Sequence, residues 1–427
     1  AEPVQLLSHA HPLTSDRRHE LAVLWDRLIA EIRREPGFDR FLAPPEPSEL
    51  LPDDPSEAVV YINTGWHSAH AFLLTRSGIE ALPLPGLSLT TVTDLTNTCL
   101  HTEHVLQSPT ATPTEVYQAE LALTDVLAEL WEKLAAPVLD ALGHTAPPTG
   151  SWPRIRWAPT GPFTFLPIHA AATTEHAVLD RVVSSYTPTA RLSHRPAPAQ
   201  SHTTKPTAAE SGKPTVAEPD RRGGAVVVEP GASGEPAMAV AGRVLAVAVS
   251  GEPPLEAVAE EAGFVAERMG GRLITEGEAT RAAVLGMLGT YGLVHFACHA
   301  LSDLAGLTGG RLELADEPLT VADIARLNVP DGRLAFLSAC GTAQGSIAIM
   351  DQAIHICTAF QIAGYSDVIG TLWPVADGVA YGLTEDVYER LAAGEQPALA
   401  LHHAVRETRD RFPYSPWFWA AFAHFGR

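Results

Sequence analysis

From Arg243 to the end of the chain, short apolar runs alternate with helix-length amphipathic stretches, and few folds accommodate that alternation other than a parallel sheet with helices over both faces. The apolar runs Arg243–Val249, Arg272–Thr275, Val294–His299, Leu312–Leu314, Leu334–Cys340, Val368–Leu372 and Trp417–Phe425 are expected strands. Between them, Leu255–Met269, Thr280–Leu288, Val321–Leu327, Asp351–Ala363, Val379–Ala393 and Pro397–Arg411 are expected helices.

The first part of the chain reads as a separate α/β unit ending near Arg195. Leu21–Arg34 has helical periodicity and is followed by Pro-rich turn material. Ala58–Ile62, Ala71–Leu74 and Ile79–Leu84 are expected strands. A long stripe from Thr114 to Gly143 predicts one helix stopped by the glycine. Arg154–Trp157, Phe163–Leu166 and Val178–Tyr186 complete the strands. Between the two units, residues 196–242 are rich in Pro, Ala, Ser, Thr, Gly and Glu with almost no large apolar residues, so they are expected to be a disordered tether.

At 427 residues, 46% hydrophobic and 19% charged, the chain has ample material for a core. A net charge of −21 argues against a nucleic-acid groove and fits a solvated acidic surface. No apolar run is long enough to span a membrane, and residues 1–13 lack the basic and apolar regions of a signal peptide, so a cytoplasmic protein is expected. Four cysteines without a framework of spacings read as free thiols. The first residue is Ala rather than Met, consistent with processing or with a piece of something longer.

Two of the expected strands end in a reactive side chain: Val294-His295-Phe296-Ala297-Cys298-His299 and Leu334-Ala335-Phe336-Leu337-Ser338-Ala339-Cys340-Gly341-Thr342. Open α/β sheets place their chemistry at the carboxyl ends of strands, where a thiol and an imidazole far apart in sequence can meet as nucleophile and base. Taken singly, Cys340 reads as a small buried hydrophobe and His299 as a structural histidine. At two strand ends of one βαβ series, the pair reads as a dyad. His295, Cys298 and His299 do not make a metal site, because alternate strand residues face opposite ways and no second ligand pair follows. Gly341–Gly345 lacks the Lys-Ser/Thr ending of a phosphate loop, and Trp373, Trp417 and Trp419 read as core or pocket wall.

His295–His299, Leu337–Thr342, Asp351–His355 leading to Ala359–Gly364, Gly370–Asp377 and Trp417–Phe422 occur in the order and spacing of CHAT-domain proteases, which the chain resembles over about Arg243 to Gly426. These are caspase-like clan CD cysteine peptidases related to separase. Trp152–Pro162 with Phe165–His169 resembles the region that precedes the protease in larger members. The resemblance implies a three-layer αβα fold, with residues 1–195 a degenerate caspase-like lobe without the dyad, 196–242 the linker and 243–427 the active lobe.

It also implies that Cys340 attacks the scissile carbonyl, that His299 handles the proton, and that the backbone N–H groups of Cys340 and Ala300 receive the oxyanion. Ala300 stands where the family commonly has Gly, and Gln352 where Glu is common beside Asp351. Asp351 reads either as support for the site or as a helix cap. By carry-over from separase-like relatives, Asp377 lines the S1 pocket and selects Arg or Lys at P1; as a bare sequence feature it also fits an N-cap. No metal or organic cofactor is implied. The expected partners are a protein substrate and a regulatory or sensor protein in a bacterial defence or cell-death setting, with no direct nucleic acid and no membrane. Arg221-Arg222 in the tether marks an expected autocleavage site. Two other classes fit the same residues: a catalytically silent interaction module, and a non-peptidase cysteine hydrolase or acyltransferase.

Overall fold

A computed structural model describes residues 15–189, 244–301, 310–339, 342 and 355–426. Residues 1–50 and 51–427 form two compact units. In the first, helix α1 (Ser15–Ile32) precedes a short turn in which Arg33 Nε donates to the Phe41 carbonyl at 2.8 Å and Arg40 pairs with Glu49. The expected helix Leu21–Arg34 therefore starts a turn and a half earlier.

The second unit is built on one eleven-stranded sheet. Before the tether come β1 (Glu57–Thr64), β2 (Ala69–Thr75), β3 (Gly78–Leu84), β4 (Arg154–Pro159) and β5 (Val183–Tyr186). After it come β6 (Val244–Ala248), β7 (Arg272–Thr275), β8 (Leu293–Ala297), the two-residue strands β9 (Ala300–Leu301), β10 (Arg311–Leu312) and β11 (Leu319–Thr320), then β12 (Leu334–Ser338), β13 (Asp367–Thr371) and β14 (Phe422–Gly426). The order is β3-β2-β1-β4-β5-β14-β13-β12-β8-β6-β7, and β9, β10 and β11 make a small separate sheet. β12 pairs in parallel with β8 and β13, and β6 with β7 and β8. β14 runs antiparallel to β13 but parallel to β5, so segments from both sides of the tether share one sheet. At that junction the Tyr186 and Phe425 rings lie 5.5 Å apart. Buried His424 reaches Ser185 Oγ at 2.8 Å with Nδ1 and Asp367 Oδ1 at 3.0 Å with Nε2, which ties β5, β14 and β13 together.

Three expected strands are corrected. Residues 161–165 form a 3-10 turn rather than a strand, because Gly161 is left-handed (φ 57°) and Pro162 cannot donate to a ladder. The run from Val178 is a 3-10 turn as far as Asp180, with strand only from Val183. Trp417 opens no strand: Pro416 starts a short helix through Trp419 that puts both tryptophans into the core, and β14 follows at Phe422.

Helices α2 (Leu89–Leu106), α3 (Pro113–Leu130) and α4 (Ala136–Ala141) belong to the first half of this unit. Thr112 and Glu115 cap α3 reciprocally. The single helix expected over Thr114–Gly143 is interrupted by a π-turn at Trp131–Ala135, where Pro137 has no N–H to give the preceding turn. It ends where expected, with Gly143 left-handed at φ 80°. No element was expected over α2, whose Val92, Leu95 and Cys99 recur at helical spacing and are buried within a threonine-rich stretch.

The second half supplies α5 (Val258–Met269), α6 (Arg281–Leu288), α7 (Val321–Ala325), α8 (Ile356–Ala363), α9 (Asp377–Ala392), α10 (Pro397–Arg411) and the turn α11 (Pro416–Trp419). β6, β8 and β14 are buried along their whole length, so both sheet faces are covered. Adjacent residues of β8 show by what: His295 meets Glu261 of α5 and Tyr388 of α9, while Phe296 packs on Phe360 of α8 with centroids 5.8 Å apart. The architecture is the expected α/β, three layers deep around the site. Among the described residues no helix is long and apolar enough to cross a membrane.

Candidate active site

β8 and β12 are parallel neighbours in register, Ala297 beside Ser338, so both chains leave the sheet at the same edge. Two residues past Ala297, the His299 ring places Nε2 2.7 Å from the Pro253 carbonyl oxygen. A carbonyl only accepts, so Nε2 carries the hydrogen and a neutral ring keeps its lone pair on Nδ1. The loop after β6 comes this close because residue 251 is glycine. Gly251 has φ +69°, and a Cβ there would stand 2.6 Å from His299 Cδ2.

Cys340 lies outside the described residues, as do Asp351, Gln352 and the tether with Arg222. Its surroundings are anchored. Thr371, the last residue of β13, donates its hydroxyl to the Ala339 carbonyl at 2.8 Å, and its amide donates to Thr342 Oγ1 at 3.0 Å. The Thr342 carbonyl accepts from the Cys357 thiol at 3.5 Å. Gly370 lets these groups meet, since a Cβ there would lie 2.5 Å from Cys357 Sγ and 2.6 Å from Thr342 Oγ1. Burial pushes the Cys357 and Cys99 thiols up to about 12, which keeps both protonated and unreactive.

Ala300 opens β9 opposite Leu312. The Glu313 amide donates to the His299 carbonyl at 2.9 Å, so Ala300 and Leu312 are a non-hydrogen-bonded pair and the Ala300 N–H points away from β10. Leu42 and Glu276 are the non-glycine residues with positive φ among the described ones, so Ala300 has an ordinary backbone and does not need glycine's freedom.

Asp377 is half-buried and does not cap its helix. α9 begins with Asp377 itself after Ala376, and Asp377 Oδ2 accepts the amide of Glu256 across the cleft at 3.1 Å. That removes the N-cap alternative. The cleft, about 30 Å³, is lined by Asp377 together with Ser338 and Ala339, the two residues before Cys340, and by Leu255, Val375 and Glu261. Trp373 and Trp417 are core, stacked 5.0 Å apart with the Trp373 indole N–H on the Trp417 carbonyl at 2.9 Å. Gly251, Pro253, Thr371 and Glu261 were not expected at the site. Ser250-Gly251 just after a strand marked a turn, but nothing local showed that the turn reaches His299.

A family model described as the CHAT domain matches residues 124–427. Separase of Saccharomyces cerevisiae, in its complex with securin, has a similar fold: in a structure at 3.0 Å resolution the TM-score is 0.57 at 11% identity, covering 96% of this chain and 31% of that one. A second structure of the complex, at 2.6 Å, gives 0.57 and 11% over 89% of this chain and 30% of that one. This chain thus spans under a third of the separase chains, and at such identity the likeness is one of fold. No curated protein matches the sequence.

Proposed function

The chain belongs to the CHAT-domain family, and we propose that it is a site-specific cysteine endopeptidase working through Cys340 and His299. The observation that carries this reading is the register of β8 and β12: His299 and Cys340 each follow the Ala297–Ser338 pair by two residues, on neighbouring strands that end at one edge. With Nε2 engaged by Pro253, Nδ1 is the nitrogen free to take the thiol proton. The thiolate attacks the scissile carbonyl, the oxyanion is received by the N–H groups of Ala300 and Cys340, and the imidazolium returns the proton to the leaving amine. Water then hydrolyses the acyl-enzyme.

Asp377 beside Ser338 and Ala339 supports Arg or Lys at P1, because its carboxylate faces the cleft with an oxygen left over from the Glu256 amide. The separase structures hold securin, and we extend from this that the present chain too is governed by a regulatory protein, in a bacterial defence or cell-death setting. Arg222 is the proposed self-processing site.

Fluorogenic peptides with Arg, Lys and neutral P1 residues test the reading. Release after Arg and Lys that disappears in Cys340→Ala and His299→Ala, and falls in Asp377→Asn for basic P1 alone, is the expected result. Activity that survives Cys340→Ala would overturn it. Intact masses of wild type and Cys340→Ala show whether the tether is cut at Arg222 and by which molecule.

A further inference from the structure

The cleft beside Ser338 and Ala339 contains a second carboxylate. Glu261, on α5, is 3% exposed yet lines the same cleft as Asp377, which is half-buried. Glu261 Oε1 accepts the Thr384 hydroxyl at 2.8 Å and stands 3.3 Å from His295 Nε2, without hydrogen-bond geometry to it. Among the described residues no Lys or Arg pairs with it. The Tyr388 phenol nearby is pushed up by its burial and by the Glu261 charge, and a phenol has no cationic form with which to offset a carboxylate.

A carboxylate this deep is costly unless it is paired, and two groups can pair it: His295 when protonated, and a cation entering the cleft. The other walls are largely apolar. Leu255, Val258, Val375 and Ala380 are aliphatic, which suits the methylene stem of a long basic side chain whose charged head lies beyond.

We infer that Glu261 is the floor of the P1 slot and acts with Asp377 as a second specificity-determining carboxylate, so that a cationic side chain passes Asp377 and ends against Glu261. This rests on the peptidase reading and deepens it. An ion pair internal to the protein, between Glu261 and a protonated His295, is the competing role, and it makes a different prediction: loss of Glu261 would then affect all substrates alike.

The test compares Glu261→Gln, Glu261→Asp and wild type on peptides with P1 Arg, Lys, citrulline and norleucine. In Glu261→Gln, kcat/KM for Arg and Lys is expected to fall about tenfold or more, mainly through KM, with less than about threefold change for the neutral pair. Glu261→Asp is expected to recover part of the loss. An equal fall for all four peptides, or no fall, would overturn the inference.

A second readout needs no turnover. Calorimetric titration of Cys340→Ala with butylguanidinium, against its neutral analogue butylurea, should show binding of the cation alone, weakened about tenfold by adding Glu261→Gln. Cation binding lost with Glu261 in a protein whose wild type cleaves no peptide would refute the peptidase reading and leave Glu261 in place. Cleavage after basic residues with unchanged cation binding in Glu261→Gln would refute the role of Glu261 alone.

Discussion

Thr371 holds Ala339: its hydroxyl donates to the Ala339 carbonyl at 2.8 Å, from the end of β13 to the residue before Cys340. Its amide holds Thr342 as well, at 3.0 Å, so one threonine grips the chain on both sides of the proposed nucleophile. Thr371→Val keeps the shape and the amide and leaves a buried carbonyl without its donor. Stability should fall by about 1–3 kcal/mol in urea titrations. In peptide assays kcat should fall more than KM changes, because the nucleophile is misplaced while the cleft is not.

Gly251→Ala places a Cβ against the His299 ring at a backbone angle that side chains rarely adopt. The ring must leave the Pro253 carbonyl or the loop must move. Either way peptidase activity should drop at least about tenfold, since displacement of about an ångström at a reacting group is that costly. Thermal unfolding of the variant should show only a modest loss, because the strain is local; a fully active Gly251→Ala enzyme would exclude this contact from catalysis.

Ala300→Pro removes the N–H proposed for the oxyanion while sparing the ladder, in which that group takes no part. A fall in kcat of about 10²–10³ is expected. Ala300→Gly, which keeps the N–H, should stay close to wild type. Similar activity in both variants would move the oxyanion hole elsewhere.

Buried histidines give the fold a pH dependence. Burial holds His169 and His355 down to about 4 and His402 down to about 3, so all three stay neutral in the folded protein where an unfolded histidine would already bind a proton. Depressed bases stabilise above the unfolded value and lose that contribution as pH falls from about 6.5 toward 4, at up to about 1.4 kcal/mol per pH unit for each. Half-buried Glu120 opposes them, because burial raises it to about 7 and the folded protein then favours its protonated form. Three histidines against one carboxyl predict that stability rises between pH 4 and 6.5. Denaturant titrations across that range check it, and His169→Gln should flatten the rise.

Much of the fold was legible because its signals are local. The expected strands around His299 and before Cys340 are β8 and β12, and Gly143 ends its helix as a left-handed residue should. The misreadings arose where a second residue redirected the chain: Pro162 and Pro416 turned apolar runs into helical turns, and Pro137 broke a periodic stripe. At the site, His299, Ala300 and Asp377 were picked out by motif, whereas Pro253 and Glu261 carry no motif and Thr371, inside the Gly370–Asp377 run, had no role assigned to it. Each of these acts on a residue tens of positions away.

The sequence by itself determined the class of fold, the family and the identity of the proposed thiol and imidazole, since periodicity and motif spacing are written along one dimension. Tertiary structure alone decided that strands from both sides of residues 190–243 share a single sheet through β5 and β14, that Asp377 receives a distant amide instead of capping its helix, and that a buried Glu261 lines the same cleft. Those facts depend on which surfaces pack together, and burial, unlike periodicity, is a property of the whole folded chain.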